Sequence, residues 1–145
     1  MTITANFTLE ELTYSDYATR NNIKNVPTAG IILGLTDTCT YILEPLRKAI
    51  KKPIRINSGY RSKSLNKAIG GSSSSQHCLG QAVDIIVPGM TVEELFQKII
   101  DLKLPYDQII QEFSTWIHVS YRANGRGQKL RAIKKGGKTV YNLVN

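Results

Sequence analysis

The sequence predicts an α+β domain from three features of its 145 residues. Apolar residues recur at helical spacing through residues 28–50, which predicts one long amphipathic helix. Residues 54–58 alternate in polarity, and residues 82–87 form a second strand-like run that ends at Pro88-Gly89. Internal repeats and domain boundaries are absent, so we expect one domain over 1–145, with a basic C-terminal region at about 122–145.

The composition excludes several classes of protein. Charged residues make up 21% and hydrophobic residues 41%, which is typical of a globular chain rather than a disordered one. The apolar runs are short and interrupted, so no membrane span is expected. The first six residues lack a basic region followed by an apolar stretch, so we expect no signal peptide.

Helices are predicted for most of the first 50 residues. Thr8 and Glu11 form a capping box, which predicts the start of a short helix. Residues 21–27 are typical of a connector. Within the long helix of residues 28–50, we expect Pro45 to introduce a kink or to mark the last turns.

Strands, loops and shorter helices follow. We predict a short helix at 65–69, a serine-rich loop at 72–75, a capped helix from 91 to 102, strands at 106–113 and 116–121, and an edge strand at 139–143. The segment between the last two strands is rich in glycine and lysine and predicts no element.

The two cysteines are too few for a disulfide framework. Cys39 falls on the apolar side of the long helix and is expected to fill the core. Cys78 follows His77 and could compete as a metal ligand, but no Cys-x-x-Cys spacing supports that role.

The formal net charge is +8, and much of the excess lies in the C-terminal region. The cations there are Arg122, Arg126, Lys129, Arg131, Lys134, Lys135 and Lys138. A basic face is either a solubility device or a surface that attracts an anionic polymer. Aromatic residues do not alternate with these charges and no nucleic-acid motif occurs, so nucleic acid is not expected as a partner.

His77 and His118 are the only histidines of the chain. If strands 82–87 and 116–121 are antiparallel neighbours, Asp84 and His118 share one face and the loop folds His77 over them. Two imidazoles and one carboxylate make a three-ligand zinc set with a position open for water. A His-x6-Asp pattern alone is more often a group of ordinary hydrogen-bonded polar residues, so both interpretations stand.

A family resemblance bears on this choice. The motifs Ser58-Gly59-Tyr60-Arg61-Ser62, Ser75-x-His77-x-x-Gly80-x-Ala82-x-Asp84 and Trp116-x-His118 occur in this order. Together they resemble the zinc D-Ala-D-Ala carboxypeptidase and L-Ala-D-Glu endopeptidase family, which includes bacteriophage endolysins and vancomycin-resistance dipeptidases. The resemblance spans roughly residues 7–121.

The resemblance implies a fold, a cofactor and a reaction. It implies the small α+β fold shared with the hedgehog signalling domain, in which helices pack against a central antiparallel sheet. It implies one Zn²⁺ bound by His77, Asp84 and His118, in a single zinc peptidase domain. The implied reaction is hydrolysis of peptide bonds in peptidoglycan stem peptides, of the D,D-carboxypeptidase or L,D-endopeptidase type.

Three further residues are expected to bind the substrate. Family members place an arginine at the position of Arg61, where it binds the substrate carbonyl or carboxylate and would stabilise the oxyanion. The alternative is a surface arginine paired with a carboxylate. Ser75 and Trp116 are expected to contact the substrate, whereas Tyr60 is expected to pack and Ser58 to support either a turn or a neighbouring residue of the site.

The general base is the point at which this chain departs from the family pattern. Many relatives carry an acid three positions before the last histidine, where this chain has Thr115. Glu112 is the nearest carboxylate. A two-residue loop would pair it with Ile117 on the face opposite His118, whereas a three-residue loop would pair it with Trp116 on the same face. We predict Glu112 as the base, with Asp107 as the weaker substitute.

We therefore expect a monomeric peptidoglycan peptidase of phage or prophage origin. The expected lack of a signal peptide suits an endolysin that waits in the host cytoplasm, or a virion-associated enzyme, and the basic C-terminal region would attract it to the wall. The alternative is a non-catalytic zinc module that binds wall or virion components, which the missing acid at Thr115 keeps open.

Overall fold

The computed structural model describes all residues, 1–145, as six helices and eight strands. The helices are α1 (Leu9–Thr13), α2 (Asp16–Arg20), α3 (Ala29–Thr38), α4 (Glu44–Ile50), α5 (Lys63–Ala68) and α6 (Val92–Asp101). The strands are β1 (Thr2–Thr4), β2 (Phe7–Thr8), β3 (Arg55–Ser58), β4 (Ala82–Ile86), β5 (Gln108–Glu112), β6 (Trp116–Ser120), β7 (Gln128–Lys135) and β8 (Lys138–Leu143).

A six-stranded sheet with the order β3-β4-β6-β5-β7-β8 forms the centre of the domain. Its pairs are antiparallel except β5 and β7, which run parallel. The prediction of an antiparallel sheet is therefore wrong for this pair. The chain leaves β6, crosses the start of β5 through residues 121–127, and enters β7 on the far side, so β7 runs antiparallel to β6 and parallel to β5.

The hydrophobic core lies between one face of this sheet and the helices. Alternate strand residues face it because successive side chains point to opposite faces. The strand members of the core are Val83, Ile85, Ile109, Ile117 and Val119, and the helical members include Leu35, Ile42, Leu46, Leu95, Phe96 and Ile99. The core thus covers one face, and the other face is left to carry polar side chains.

The long helix of residues 28–50 continues through Pro45 by means of a π-helical turn. Residues 39–43 form this turn, in which the Glu44 N–H donates to the Cys39 carbonyl, and Pro45 then lies in the first turn of α4. The wider turn accommodates a residue that has no N–H to donate. Cys39 is buried in the core as predicted, and burial raises the pKa of its thiol to about 12.

Three elements differ from the sequence prediction. The hairpin of β1 and β2 and the helix α2, which Ser15 caps, were not predicted. Strand β7 lies in the segment for which no element was predicted. Its residues Leu130 and Ala132 are buried beside Ile110 on the sheet face opposite the main core. No helix combines the length and the apolar character needed to cross a membrane.

Candidate metal centre and its cleft

Three potential metal ligands meet on the sheet face that the helices leave open. Asp84 on β4 and His118 on β6 are direct cross-strand partners, as the sequence predicted for neighbouring strands. His77 lies in a 3₁₀ turn, Gln76–Leu79, immediately before β4. One ligand atom from each of the three lies within 4.8 Å of the others.

The turn that carries His77 fixes both its position and its tautomer. Ser75 caps the turn by accepting a hydrogen bond from the His77 N–H at 3.2 Å. Gly80 ends it with φ +72°, at a point where an added Cβ would lie 2.6 Å from the Ile31 carbonyl oxygen. The His77 Nδ1–H donates to the Gly59 carbonyl at 2.8 Å, so Nε2 presents its lone pair 3.3 Å from Asp84 Oδ1.

The donor set has the chemistry of a zinc site. Asp84 Oδ1 is 3.0 Å from His118 Nδ1, and Asp84 is also close to His77. Burial would raise the pKa of Asp84, but its interactions with both imidazoles outweigh burial and hold the pKa below its usual range. Burial is the main influence that lowers the pKa of His77, although Asp84 opposes it.

Two imidazole nitrogens and one carboxylate oxygen fit a tetrahedral zinc ion with one position left open. Both histidines and the aspartate are largely buried, yet they line an open cleft through which solvent and ligands can enter. Cys78 lies outside this group of ligands.

Glu112 reaches the same face because the β5–β6 connection is a three-residue loop. Glu112 pairs with Trp116, and the loop between them includes Phe113 and Ser114 in left-handed conformations, with φ of 54° and 56°. The loop closes with the Thr115 N–H donating to the Glu112 carbonyl at 2.9 Å. Of the two registers considered from the sequence, this is the one that brings Glu112 to the face of His118.

The carboxylate of Glu112 lies beside the candidate ligands without joining them. Its Oε1 is 3.8 Å from His118 Nδ1. Burial, followed by the charge of Asp84, raises the pKa of Glu112, while His118, the indole N–H of Trp116 and Arg61 oppose this shift. The Trp116 Nε1 itself is buried and makes no hydrogen bond of ordinary geometry.

Asp107 does not suit the role of the alternative base. Its side chain is fully buried, and both of its oxygens accept hydrogen bonds from arginine side chains. These arginines hold the pKa of Asp107 well below its usual range. A carboxylate in this state is a poor proton acceptor at neutral pH.

Arg61 is held beside the metal centre by three neighbours. Its Nε donates to Ser58 Oγ at 3.1 Å, its Nη1 to Asn66 Oδ1 at 3.3 Å, and its Nη2 to Asp84 Oδ2 at 3.4 Å. The arginine therefore pairs with a carboxylate, but in the cleft and not on an open surface. Ser58 supports it as expected, and Tyr60 packs in the core as expected.

These groups line a cleft of about 760 Å³. Ser75 and Trp116 both lie in its wall, as do Arg61 and Glu112. Residues that sequence reasoning did not assign to the cleft also line it, among them Gln81, Gln108, Ile110, Arg122, Arg126, Leu130 and Tyr141. The alternation of Leu130 and Ala132 in a basic segment was the available signal for the β7 contribution.

A second hollow, of about 830 Å³, lies between the β1–β2 hairpin and α4. Its lining includes one carboxylate, Glu44, which already accepts two hydrogen bonds from Asn6. No group of metal ligands converges there, since the one such group in the chain is that of His77, Asp84 and His118. The cleft at the metal centre is therefore the candidate functional site.

Comparison with known proteins agrees with this geometry. Residues 5–120 match the family model described as Peptidase M15. A zinc D-Ala-D-Ala carboxypeptidase of Streptomyces albus G is 43% identical over 44 residues, a match that covers 30% of this chain and 17% of that protein. The chain thus aligns with less than a fifth of this relative's length. The extent of the family match, together with the mixed helices and central sheet, shows that the chain belongs to the peptidase M15 family.

Proposed function

We propose that the protein is a zinc metallopeptidase that hydrolyses peptide bonds in peptidoglycan stem peptides. The observation that carries the proposal is the convergence of His77, Asp84 and His118 within 4.8 Å in an open cleft, with the Glu112 carboxylate 3.8 Å from His118. In this proposal the three residues hold one zinc ion. Zinc bound there acts as a Lewis acid and lowers the pKa of its bound water towards about 7.

Glu112 takes the part of the general base. A water molecule that attacks the scissile carbonyl must lose a proton, and the leaving amine must gain one. Glu112 is the one carboxylate of the cleft other than Asp84, and it has no cationic partner that saturates it. Its raised pKa favours acceptance of the proton from water, since a protonated carboxyl is then easier to form, and the carboxyl passes this proton to the amine.

Arg61 takes the part of the cation that stabilises the tetrahedral oxyanion. Ser58 and Asn66 hold its guanidinium group at the wall of the cleft, so no reorganisation is needed when negative charge develops. Its hydrogen bond to Asp84 Oδ2 also orients the carboxylate whose other oxygen faces both histidines. Ser75 and Trp116 complete the substrate-binding wall in this proposal.

The proposal extends to the fold type and to the biological setting. We infer the fold that the family shares with the hedgehog signalling domain, and a monomeric lysin of a phage or prophage. It would act from the host cytoplasm as an endolysin or as part of a virion. Analysis of the peptide fragments distinguishes cleavage between two D-alanines from cleavage between L-Ala and D-Glu.

The test is digestion of isolated peptidoglycan by the zinc-loaded protein, followed by mass spectrometry of the released fragments. We expect new peptide termini from one type of stem-peptide bond, and none with His118→Ala. Stem peptides that stay intact at full zinc occupancy would contradict the proposal and favour a non-catalytic zinc module.

The lysines of the β7–β8 hairpin are the proposed source of attraction to an anionic wall. Arg131 is less suited to this role because it pairs with Glu93, and Arg126 lies in the cleft of the metal centre. Replacing Lys129, Lys135 and Lys138 by glutamine should weaken sedimentation with isolated walls, most clearly at low salt. Unchanged binding would rule the attraction out.

A further inference from the structure

We propose that Arg122 and Arg126 form a subsite that binds a carboxylate group of the peptide substrate. This inference rests on the proposed peptidase function and adds a substrate-recognition element to it. Both arginines line the same cleft as the metal centre. Both also lie beyond the 5–120 segment that matches the peptidase family.

A buried carboxylate holds the two guanidinium groups in place. Asp107 Oδ1 accepts from Arg122 Nε at 3.1 Å, and from the Arg126 backbone N–H at 2.8 Å and Nε at 3.0 Å. Asp107 Oδ2 accepts from Arg126 Nη2 at 2.8 Å. The Asp107 side chain is 0% exposed, whereas those of Arg122 and Arg126 are 49% and 47% exposed. The Asp107 carboxylate that orients the two guanidinium groups is therefore buried, whereas the guanidinium groups face solvent.

The charges and donors at this end of the cleft are unbalanced. Two guanidinium groups contact one carboxylate, which leaves one net positive charge. Arg122 uses only Nε, so both of its terminal nitrogens are unpaired, and Arg126 has one terminal nitrogen unpaired. Paired N–H donors of a guanidinium group match the two oxygens of a carboxylate. A carboxylate is thus the ligand class that fits.

The loop that carries these arginines is fitted closely to its anchor. At Gly125 an added Cβ would lie 2.7 Å from the Cα of Asp107, so the loop backbone packs directly on that residue. Asn124 and Gly127 adopt positive φ angles of 57° and 64°. The Gln128 N–H donates to the Asp107 carbonyl at 3.0 Å, which closes the loop onto β5. The arginines are therefore preorganised.

The position of the pair suggests which part of a substrate reaches it. Ser120 lies two residues after His118 on β6, roughly 7 Å away at a rise of about 3.3 Å per residue, and Arg122 lies two residues beyond Ser120. The acidic lining residues, Asp84 and Glu112, belong to the metal-centre end. An extended peptide cleaved at the metal centre would thus place a carboxylate a few residues from the scissile bond at the arginines.

Two sources in a stem peptide supply such a group: the C-terminal carboxylate and the free carboxylate of the D-Glu residue. The experiment uses three synthetic stem pentapeptides that end in D-Ala-D-Ala. One has both carboxylates free, one has the C-terminus amidated, and one has the D-Glu carboxylate amidated. For each peptide, KM and kcat are measured with the wild type, Arg122→Gln, Arg122→Lys and Lys48→Gln.

We expect Arg122→Gln to raise KM about tenfold or more for the peptide with both carboxylates, with kcat little changed. For one of the amidated peptides, KM should be equally high with the wild type and with Arg122→Gln. The group that is amidated in this peptide is then the carboxylate that is bound. The KM of Arg122→Lys should fall between the values of the wild type and Arg122→Gln, since lysine keeps the charge but not the planar guanidinium group. Lys48→Gln removes an equal charge from the exposed surface of α4, outside the cleft lining, and should leave KM unchanged.

Equal KM values for all three peptides with the wild type would overturn the subsite while leaving the peptidase proposal intact. An equal rise of KM for all peptides in Arg122→Gln would overturn it too. The absence of cleavage of any peptide by the zinc-loaded wild type would instead count against the peptidase proposal. Should Arg122→Gln fail to fold, Arg122→Lys and the wild-type comparison of the three peptides decide the matter.

Discussion

The two ends of strand β5 carry carboxylates with opposite properties. Glu112, at its last position, faces the metal centre, and burial raises its pKa. Asp107, directly before its first position, is surrounded by arginine donors, which lower its pKa. The difference teaches that partners decide what a carboxylate can do. The oxygens of Asp107 accept hydrogen bonds that stabilise the fold, whereas the carboxylate of Glu112 can exchange a proton.

Asp84 is the residue on which the Glu112 end depends most. Replacing it by alanine removes the carboxylate that contacts His77, His118 and Arg61. We expect zinc affinity to fall by more than about 100-fold, because loss of an outer partner alone costs 10 to 100-fold, and cleavage to be lost with it. Titration with a competing chelator measures the change. An unchanged zinc affinity would exclude Asp84 as a ligand.

Substitution of Asp107, at the other end of β5, should change the stability of the protein and not its catalysis. Asp107→Asn replaces a buried charged acceptor of arginine hydrogen bonds by a neutral amide, while the half-exposed arginines stay solvated, so we expect a loss of about 2 kcal/mol in the free energy of unfolding. Zinc content and kcat of the folded fraction should stay close to those of the wild type. Denaturant unfolding and metal analysis test both statements, and a loss of zinc in a stable variant would contradict them.

The dependence of stability on pH should reveal the lowered pKa of Asp107. The pKa of Asp107 is lowered by folding, so its contribution is complete above the unfolded value of about 4 and is lost as pH falls towards the folded value. The wild type should therefore lose stability on acidification below about pH 4. Asp107→Asn should lack this pH-dependent contribution to the free energy of unfolding. If the stability of both proteins falls in parallel below pH 4, this prediction is contradicted.

The smallest expected effect concerns the loop that sets the register of Glu112. Ser114 has φ 56°, a conformation in which glycine is favoured. Ser114→Gly should raise the free energy of unfolding by about 0.5 kcal/mol and leave cleavage unchanged. Denaturant unfolding measures the gain. A clear destabilisation would contradict the left-handed conformation of this residue.

Much of the metal centre could be predicted from local patterns. The alternation of side chains on residues 82–87 and 116–121 placed Asp84 and His118 on one face on the condition that the two strands are antiparallel neighbours, which they are. The choice of these residues as metal ligands came from the family resemblance. The register of Glu112 was different. It depends on whether the loop has two or three residues, and Phe113 and Ser114 do not carry the usual glycine or asparagine signal for positive φ.

The other end of the cleft could not be predicted from sequence. Strand β7 pairs with β5 across a chain reversal, and its cations obscure the short alternation of Leu130 and Ala132. The role of Arg126 was also hidden, since nothing local to residues 122–126 shows that Asp107 would lie beneath them. Long-range packing, and not local propensity, decides both features.

The measurement that tests the account most directly is the cleavage rate of Glu112→Gln with zinc bound. This variant removes one negative charge from the metal-centre end of β5, as Asp107→Asn does from the other end. We predict one zinc ion per chain, unchanged stability or a gain of up to about 1 kcal/mol, and a kcat lower by about 100- to 10,000-fold. A Glu112→Gln variant that binds zinc and cleaves stem peptides at the wild-type rate would contradict the account.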